Sequence, residues 1–145
     1  MKLTDDAIEV RAQGWRRLAA LHGLIESALE RELQAAHRLS VVEYTVLDAL
    51  SRQVADWHMR MQQLSRAAAL SSSATTRLVT RLEARGLLAR YLCADDRRGI
   101  YTELTPAGFR LLTEARPTHD RVLAASLAEA AGIPELESLA TRLLP

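Results

Sequence analysis

The segment SSSATTRLVTRLEARG, from Ser71 to Gly86, is the most informative part of this sequence about its fold. Hydroxyl residues occupy five of its first six positions, although a helix needs only one such residue to cap its free backbone N–H groups. At about 100° per residue the segment has one largely apolar face, formed by Ala74, Thr75, Leu78, Val79 and Leu82. The opposite face carries Ser73, Thr76, Arg77 and Thr80. Short hydroxyl side chains and arginine suit contact with a polyanion, and a solvated polar face is the alternative interpretation.

A shorter helix is predicted directly before this one. The segment MQQLSRAAAL, residues 61–70, places Leu64, Ala67 and Ala68 on its inner face. Only Leu70 and Ser71 separate the two helices. Two helices joined by so tight a turn form a helix-turn-helix.

The periodicity changes after Gly86, a residue that suits the left-handed end of a helix. In LLARYLCADDRRGIYTEL, residues 87–104, alternate residues starting from Leu88 and from Ala89 fall on opposite faces. The alternation stops at the polar turn ADDRRG and resumes in IYTEL, which predicts a β-hairpin. A helix-turn-helix followed by a hairpin is a winged helix, whose hairpin tip can contact DNA beside the groove that holds the helix.

Helices are predicted on both sides of this module. Residues 5–36 are rich in Ala and Leu and are predicted to form one long helix. The Ser40-x-x-Glu43 spacing is a capping box that starts the next helix at Ser40, and residues 52–58 are predicted to be a loop. The fold class is therefore mainly α with a small β-hairpin wing.

The C-terminal part of the chain is also predicted to be helical. Thr105 is an expected N-cap, with Pro106 at the first helical position, where its missing N–H costs nothing. The helix that follows is expected to bend near Pro117 and to end at Gly132, and a last helix is expected to start at Pro134.

Charge is distributed unevenly along the chain. The 145 residues have a net charge of only +1. Residues 60–98, however, contain eight arginines and three acidic residues, a net charge of +5, while the rest of the chain carries −4. A basic module in an acidic frame is the electrostatic pattern expected of a local phosphate-binding surface.

The sequence lacks the features that define several other classes of protein. No apolar run approaches the ~20 residues of a membrane span, the N-terminus does not resemble a signal peptide, and a cytoplasmic location is expected. Cys93 is the single cysteine, and no nucleophile elbow, Walker loop or dinucleotide-binding glycine motif is present. We therefore expect no enzyme activity and no cofactor. No metal site is expected either, because the histidines are scattered at His22, His37, His58 and His119.

Three segments together resemble a known family. LSRAAALSSSATTRLVTRLEARGLLAR, DDRRG and LTPAG, in this order and spacing, are similar to the MarR family of bacterial winged-helix transcriptional regulators. Ser65 departs from the family, which more often has Ala there. The resemblance implies a homodimer that places two recognition helices in successive major grooves of a pseudo-palindromic operator, with DNA affinity lowered by a ligand or by oxidation.

The resemblance also implies an organisation into parts. Residues 1–36 would be an N-terminal dimerisation helix, residues 37–104 a winged helix-turn-helix DNA-binding domain, and residues 105–145 C-terminal dimerisation helices. The apolar segments LAALHGLIESAL and VLAASLAEAAGI agree with this, because they exceed what one small winged helix can cover.

DNA-binding residues follow from the resemblance position by position. The recognition helix would contribute Ser71, Ser73, Thr76, Arg77 and Arg81. In the wing, Asp96 and Arg98 match the family's D-x-R pattern, in which the aspartate orients the arginine toward the minor groove, and Arg97 would contact the backbone or share that role. A narrow minor groove attracts arginine. A polar β-turn with a local ion pair is the alternative for DDRRG.

The resemblance places an effector between the dimerisation helices and the winged domain. Trp15, Leu18 and His22 share one face of the first helix, and Tyr44 could face them. A flat stacking surface and an imidazole that can hydrogen-bond favour a small aromatic or anionic effector. Packing at the dimer interface is the alternative for these residues.

Two further alternatives remain at the level of the sequence. Cys93 is a candidate redox sensor, or a small hydrophobic residue of the wing strand. The function that the sequence favours is a ligand-responsive repressor, and a winged-helix module that contacts only proteins is the alternative.

Overall fold

A computed structural model of the chain describes residues 2–53, 57–93 and 96–145, and the side chains of residues 2–5, 93 and 96–98 lie outside the described part. The chain is mainly helical with one small antiparallel sheet, as predicted. In chain order the elements are α1 (Lys2–His37), α2 (Val41–Ser51), β1 (His58–Arg60), α3 (Met61–Ala68), α4 (Ser72–Ala84), β2 (Leu88–Cys93), β3 (Asp96–Leu104), α5 (Pro106–Ala131) and α6 (Glu137–Thr141).

The chain divides into two compact units. The winged unit consists of residues 36–117, and the terminal unit consists of residues 1–35 with 118–145. The winged unit therefore extends past residue 104, because the start of α5 is joined to the end of α4. Thr105 donates its hydroxyl to the Gly86 carbonyl at 2.7 Å, and a Cβ on Gly108 would collide with the Leu87 carbonyl.

The core of the winged unit consists of leucine and valine side chains from its helices and the base of its sheet. Fully buried members include Val46, Leu47, Leu50, Leu64, Leu78, Val79, Leu82, Leu88 and Leu112. Leu64 is on the predicted inner face of α3, whereas Ala67, predicted to be on that face, is exposed. Leu64 is therefore the large apolar side chain through which α3 packs into the core.

The sheet has three strands in the order β1-β3-β2, where the sequence predicted a two-stranded hairpin. The third strand is β1, which pairs with β3 so that His58 lies opposite Glu103 and Arg60 opposite Tyr101. Three residues are too few to show a strand period. β1 exists as a strand only because β3 supplies its hydrogen-bonding partner.

Helix ends in the winged unit follow the predicted capping chemistry. Ser40 accepts from the Glu43 N–H at 3.0 Å while the Glu43 carboxylate accepts from the Ser40 N–H at 2.8 Å. The Thr105 hydroxyl accepts from the Gly108 N–H at 3.0 Å. Gly86 has a φ of 75°, the left-handed conformation expected directly after a helix.

The terminal unit is built from α1, the C-terminal half of α5 and α6. Its buried cluster consists of Leu21, Leu127, Ala130, Leu136 and Ala140. Pro117 lies inside α5, at the boundary of the two units. The last helix starts at Glu137 rather than at Pro134, because the Ile133 carbonyl first accepts from the N–H groups of both Leu136 and Glu137 in a turn.

Two kinds of feature are absent from the described residues. None of the helices there has an apolar stretch long enough to cross a bilayer. In the same residues, no three His, Cys, Asp or Glu side chains are grouped as metal ligands would be.

Candidate nucleic-acid interface

Helix α4 has the two faces that its sequence predicts. Its inner face is buried, and Thr75, Leu78, Val79 and Leu82 are at most 1% exposed. Its outer face is exposed along its whole length and carries Ser73, Thr76, Arg77, Thr80 and Arg81. The exposed face contains hydroxyl and guanidinium groups and no carboxylate.

The hydroxyl residues at the start of α4 have different roles. Ser71 is the N-cap and accepts from the Ala74 N–H at 3.2 Å. Thr75 is buried and donates its hydroxyl to the Ser71 carbonyl at 2.8 Å. Ser72 and Ser73 remain at the surface, where they are available to a ligand. Thr76 is also exposed, but it donates its hydroxyl to the Ser72 carbonyl at 2.9 Å.

Ser65 links the two helices of the helix-turn-helix. Its hydroxyl on α3 lies 2.9 Å from the Thr75 hydroxyl on α4 and 3.0 Å from the Met61 carbonyl. The turn between the helices contains Ala69 in the left-handed conformation, with a φ of 54°. The residue that departs from the family pattern therefore makes a direct contact that an alanine could not make.

The arginines of the basic module fall into two groups. Arg85 is paired with Glu43 at 3.3 Å, and Arg90 is paired with Glu83 at 2.9 Å. Among the residues that the structure describes, Arg77 and Arg81 have no ion-pair partner, and both are exposed on the outer face of α4. The charge count of the sequence does not distinguish these groups, because it does not show which cations are already neutralised.

The Arg90 and Glu83 pair fixes the start of β2 against α4. Glu83 accepts from the Arg90 guanidinium and also from the Arg90 backbone N–H at 3.1 Å. Hydrogen bonds from Arg90 lower the pKa of the Glu83 carboxyl, and the same pairing raises the pKa of Arg90. Both groups stay charged at neutral pH, so an ion pair links the wing to α4.

The base of the wing carries a cluster that the sequence analysis did not find. The Tyr91 hydroxyl lies 2.7 Å from His58 Nδ1, and the Tyr91 and Tyr101 rings stack with centroids 5.8 Å apart. Arg60 Nε donates to the Tyr101 hydroxyl at 3.0 Å. The sequence-based interpretation of His58 concerns metal binding alone. The opposed tyrosines of the two strands were the signal that could have revealed the cluster.

The wing residues have strand backbone where the sequence predicted a turn. β3 begins at Asp96, which pairs with Cys93, so Asp96, Arg97 and Arg98 belong to the strand. Pairing with β2 extends β3 toward the tip of the hairpin, past the residues whose alternation predicts the strand. The side chains of these three residues and of Cys93 lie outside the described part, and their roles stay predictions.

Concave surfaces lie on both sides of α4. A cleft of about 350 Å³ separates α4 from the wing and is lined by Arg60, Met61, Gln62, Thr76, Arg90, Gly99 and Ile100. A second cleft of about 240 Å³ lies between α4 and the start of α2 and is lined by Ser40, Val42, Leu70, Ala74, Arg77, Leu78 and Arg81. A rod-shaped polyanion could contact α4 together with both flanks.

The predicted effector residues lie in different environments. On α1, Trp15 is 68% exposed and Leu18 is 50% exposed. The His22 side chain is also exposed and lies 3.0 Å from Glu26. Tyr44 belongs to the winged unit and is only 4% exposed. The effector pocket stays a prediction.

Comparisons with known proteins agree on one family. Residues 37–99 match a family model described as MarR family. The transcriptional regulator PecS from Dickeya dadantii is 31% identical over 96 residues, which are 66% of this chain and 57% of that protein. The chain thus spans little more than half the length of this curated relative.

Solved structures give the same result over most of the chain. Sco3205, a MarR family transcriptional regulator from Streptomyces coelicolor solved in complex with DNA, is 27% identical with a TM-score of 0.75, covering 89% of this chain and 80% of that one. CouR from Rhodococcus jostii, solved with bound p-coumaroyl-CoA, is 26% identical with a TM-score of 0.69, covering 87% and 82%.

Proposed function

Because the chain belongs to the MarR family of transcriptional regulators, we propose that it binds operator DNA in the cytoplasm and represses transcription as a homodimer on a pseudo-palindromic site. The single observation that carries the proposal is the outer face of α4. That face exposes Ser73, Thr76, Arg77 and Arg81 with no ion-pair partner for either arginine among the described residues. Unpaired guanidinium groups on a rigid helix suit the edges of guanine and the phosphates of DNA.

The proposed contacts assign a role to each side chain. Arg77 lies near the middle of α4 and reads base edges in the major groove. Ser71 and Ser73 donate to phosphates, Thr76 contacts the same DNA strand with its side chain, and Arg81 contacts the backbone from the next turn. In the wing, Arg98 enters the minor groove with Asp96 orienting it, and Arg97 binds the backbone.

The proposed dimer uses the terminal helices. Ile8, Trp15 and Leu18 on α1 are at least 50% exposed, and their spacing places them near one side of the helix. Such an apolar stripe is rare on a monomer. In a two-fold symmetric dimer that covers it, the two copies of α4 would lie about 34–36 Å apart, one turn of DNA.

The proposed regulation is release of DNA by a small aromatic, anionic effector. Trp15, Leu18 and His22, at one end of the exposed stripe of α1, are the proposed lining. CouR, a relative of similar fold, binds p-coumaroyl-CoA, which combines an aromatic acyl group with an anionic carrier. Occupancy would favour a spacing of the two α4 helices that does not match the DNA repeat.

A module that contacts only proteins is the second candidate. The Leu92 and Ile100 side chains, exposed on the wing, are the observation in its favour. The unpaired arginines of α4 oppose it, because a protein surface would require matching carboxylates to accept them.

The test is DNA binding by the full-length chain at several salt concentrations. Fluorescence anisotropy with duplexes from the DNA upstream of its own gene should give a Kd that rises steeply with salt and is lower than for a shuffled duplex. Equal binding to both duplexes at every salt concentration would contradict sequence-specific recognition.

A further inference from the structure

Two large apolar side chains lie exposed on the wing. Leu92 is 69% exposed and Ile100 is 51% exposed. They lie directly opposite each other in the β2–β3 register, so their side chains are neighbours on the same face of the sheet.

That face of the sheet also holds the core. Leu88 opposite Leu104 and Arg90 opposite Thr102 precede the pair in the register. Leu88, Leu104 and Thr102 are at most 4% exposed. Because side chains of a strand alternate between faces, Leu92 and Ile100 continue the core-facing side beyond the point where the core ends.

Ile100 lines the cleft between α4 and the wing, and Leu92 is its partner on β2. Ile100 and Gly99 line this cleft from the wing, and Thr76 lines it from the outer face of α4. Arg60 contributes positive charge, the Arg90 guanidinium is already paired with Glu83, and none of the described residues that line the cleft is a carboxylate. The cleft therefore has a cationic, polar side and an apolar edge.

The proposed function requires one ligand to pass through this cleft. With α4 in the major groove and the wing at the adjacent minor groove, the sugar–phosphate strand that separates the two grooves runs between Thr76 and Ile100. That strand has anionic phosphates and, between them, deoxyribose rings with exposed C–H groups. The phosphates suit the cationic side of the cleft, and the deoxyribose rings suit its apolar edge.

We propose that Leu92 and Ile100 pack against the deoxyribose rings of the DNA strand that lies between α4 and the wing. The inference rests on the proposed function and adds a contact that is neither ionic nor specific for sequence. Burial of apolar surface releases no counterions. The contact should therefore contribute to affinity without contributing to its salt dependence.

The experiment compares the full chain with the double variant Leu92→Ala and Ile100→Ala. Binding to a mixed-sequence duplex of about 30 base pairs is measured by anisotropy over a range of salt concentrations. We expect Kd to rise about tenfold at every salt concentration, with the slope of log Kd against log salt unchanged. Arg81→Ala, which removes a proposed contact to the DNA backbone, is expected to reduce that slope.

Two controls separate this effect from damage to the fold. Val10→Ala truncates an apolar side chain that is 68% exposed on α1, and it should leave Kd unchanged. Thermal unfolding of the double variant should match that of the wild type, because neither side chain is in the core.

The outcomes are distinguishable. A double variant that binds like the wild type overturns the inference and leaves the proposed function intact. A reduced salt slope also overturns it, because phosphate contacts would then have been lost. Altered sedimentation of the DNA-free variant would show that the pair contacts protein. A wild-type chain that binds no duplex contradicts the proposed function, and the inference with it.

Discussion

The Ser65 hydroxyl on α3 lies 2.9 Å from the buried Thr75 hydroxyl on α4. The contact joins the two helices whose relative orientation presents Arg77 and Arg81 to a ligand. Thr75 in turn donates to the Ser71 carbonyl at 2.8 Å, so a chain of hydrogen bonds runs from α3 to the start of α4.

Removal of this contact should lower stability without removing a DNA-binding group. We expect Ser65→Ala to reduce the free energy of unfolding by about 0.5–1.5 kcal/mol, since the Thr75 oxygen loses its donor. Chemical denaturation measures the change. Ser72→Ala, at an exposed position on the next helix, is the matched control and should stay within about 0.5 kcal/mol of the wild type. Equal stability of the two variants would show that the contact contributes nothing.

Acid should weaken the winged unit through Asp48. This carboxylate lies 3.0 Å from Arg116 on α5 and 2.8 Å from Arg52 after α2. Burial raises its pKa, but hydrogen bonds from Arg52 and Arg116 outweigh burial and hold the pKa below its ordinary value of 3.8. Because the folded-state pKa is the lower one, the stabilisation is complete above the ordinary value and is lost as the pH falls through the lowered value.

Asp48→Asn tests this linkage. We expect a loss of about 1–2 kcal/mol at pH 7 and a shallower fall in stability below about pH 4 than in the wild type. Denaturation midpoints from pH 2 to pH 7 measure both effects. Asp6→Asn, at an exposed position on α1, should keep the acid dependence of the wild type. The account of Asp48 is wrong if its variant also keeps that dependence.

Arg77 and Arg85 should have opposite effects although only eight residues separate them. Arg77→Ala should cost about 1–3 kcal/mol of DNA affinity per half-site and relax sequence preference, with stability unchanged. Arg85→Ala should lower stability by about 1 kcal/mol, because Glu43 is 8% exposed and loses its ionic partner, and DNA affinity should change little. Anisotropy and denaturation of the same two variants would refute the assignment if the effects were exchanged.

The two wing arginines should also differ from each other. We expect Arg97→Ala to weaken binding to all duplexes alike and to flatten the salt dependence. Arg98→Ala should weaken binding most at duplexes with A·T-rich flanks, where the minor groove is narrow. Unchanged affinity in both variants would remove the minor-groove role.

The exposed stripe of α1 has two possible uses, and two variants separate them. Aromatic carboxylic acids and their CoA thioesters are screened by Trp fluorescence and for release of bound DNA. Trp15→Ala and His22→Ala should bind DNA like the wild type without ligand but respond less to an active compound. Sedimentation should show that both remain dimers, because Ile8 and the rest of the terminal helices still form the proposed interface. Loss of the dimer in both would assign these residues to packing instead.

Much of this architecture was predictable because it depends on local patterns. The period of α4 gave its buried and exposed faces, and the Ser40 and Glu43 capping box gave the start of α2. The strand β1 was not predictable in this way, because its three residues are ordered by a partner more than 40 residues away. The pairing of Arg90 with Glu83 was equally hidden, since it depends on how β2 leaves α4. The sequence therefore located the basic surface but not the arginines that are free on it.

Protection of guanine N7 from dimethyl sulfate reports on the placement of α4, because N7 lies in the major groove. The wild-type chain on DNA from upstream of its own gene should protect two clusters of guanines about 10 base pairs apart, and Arg77→Ala should lose protection in both clusters. Bound DNA with no protected guanine, together with an Arg77→Ala variant that binds like the wild type, would contradict the placement of α4 in the major groove.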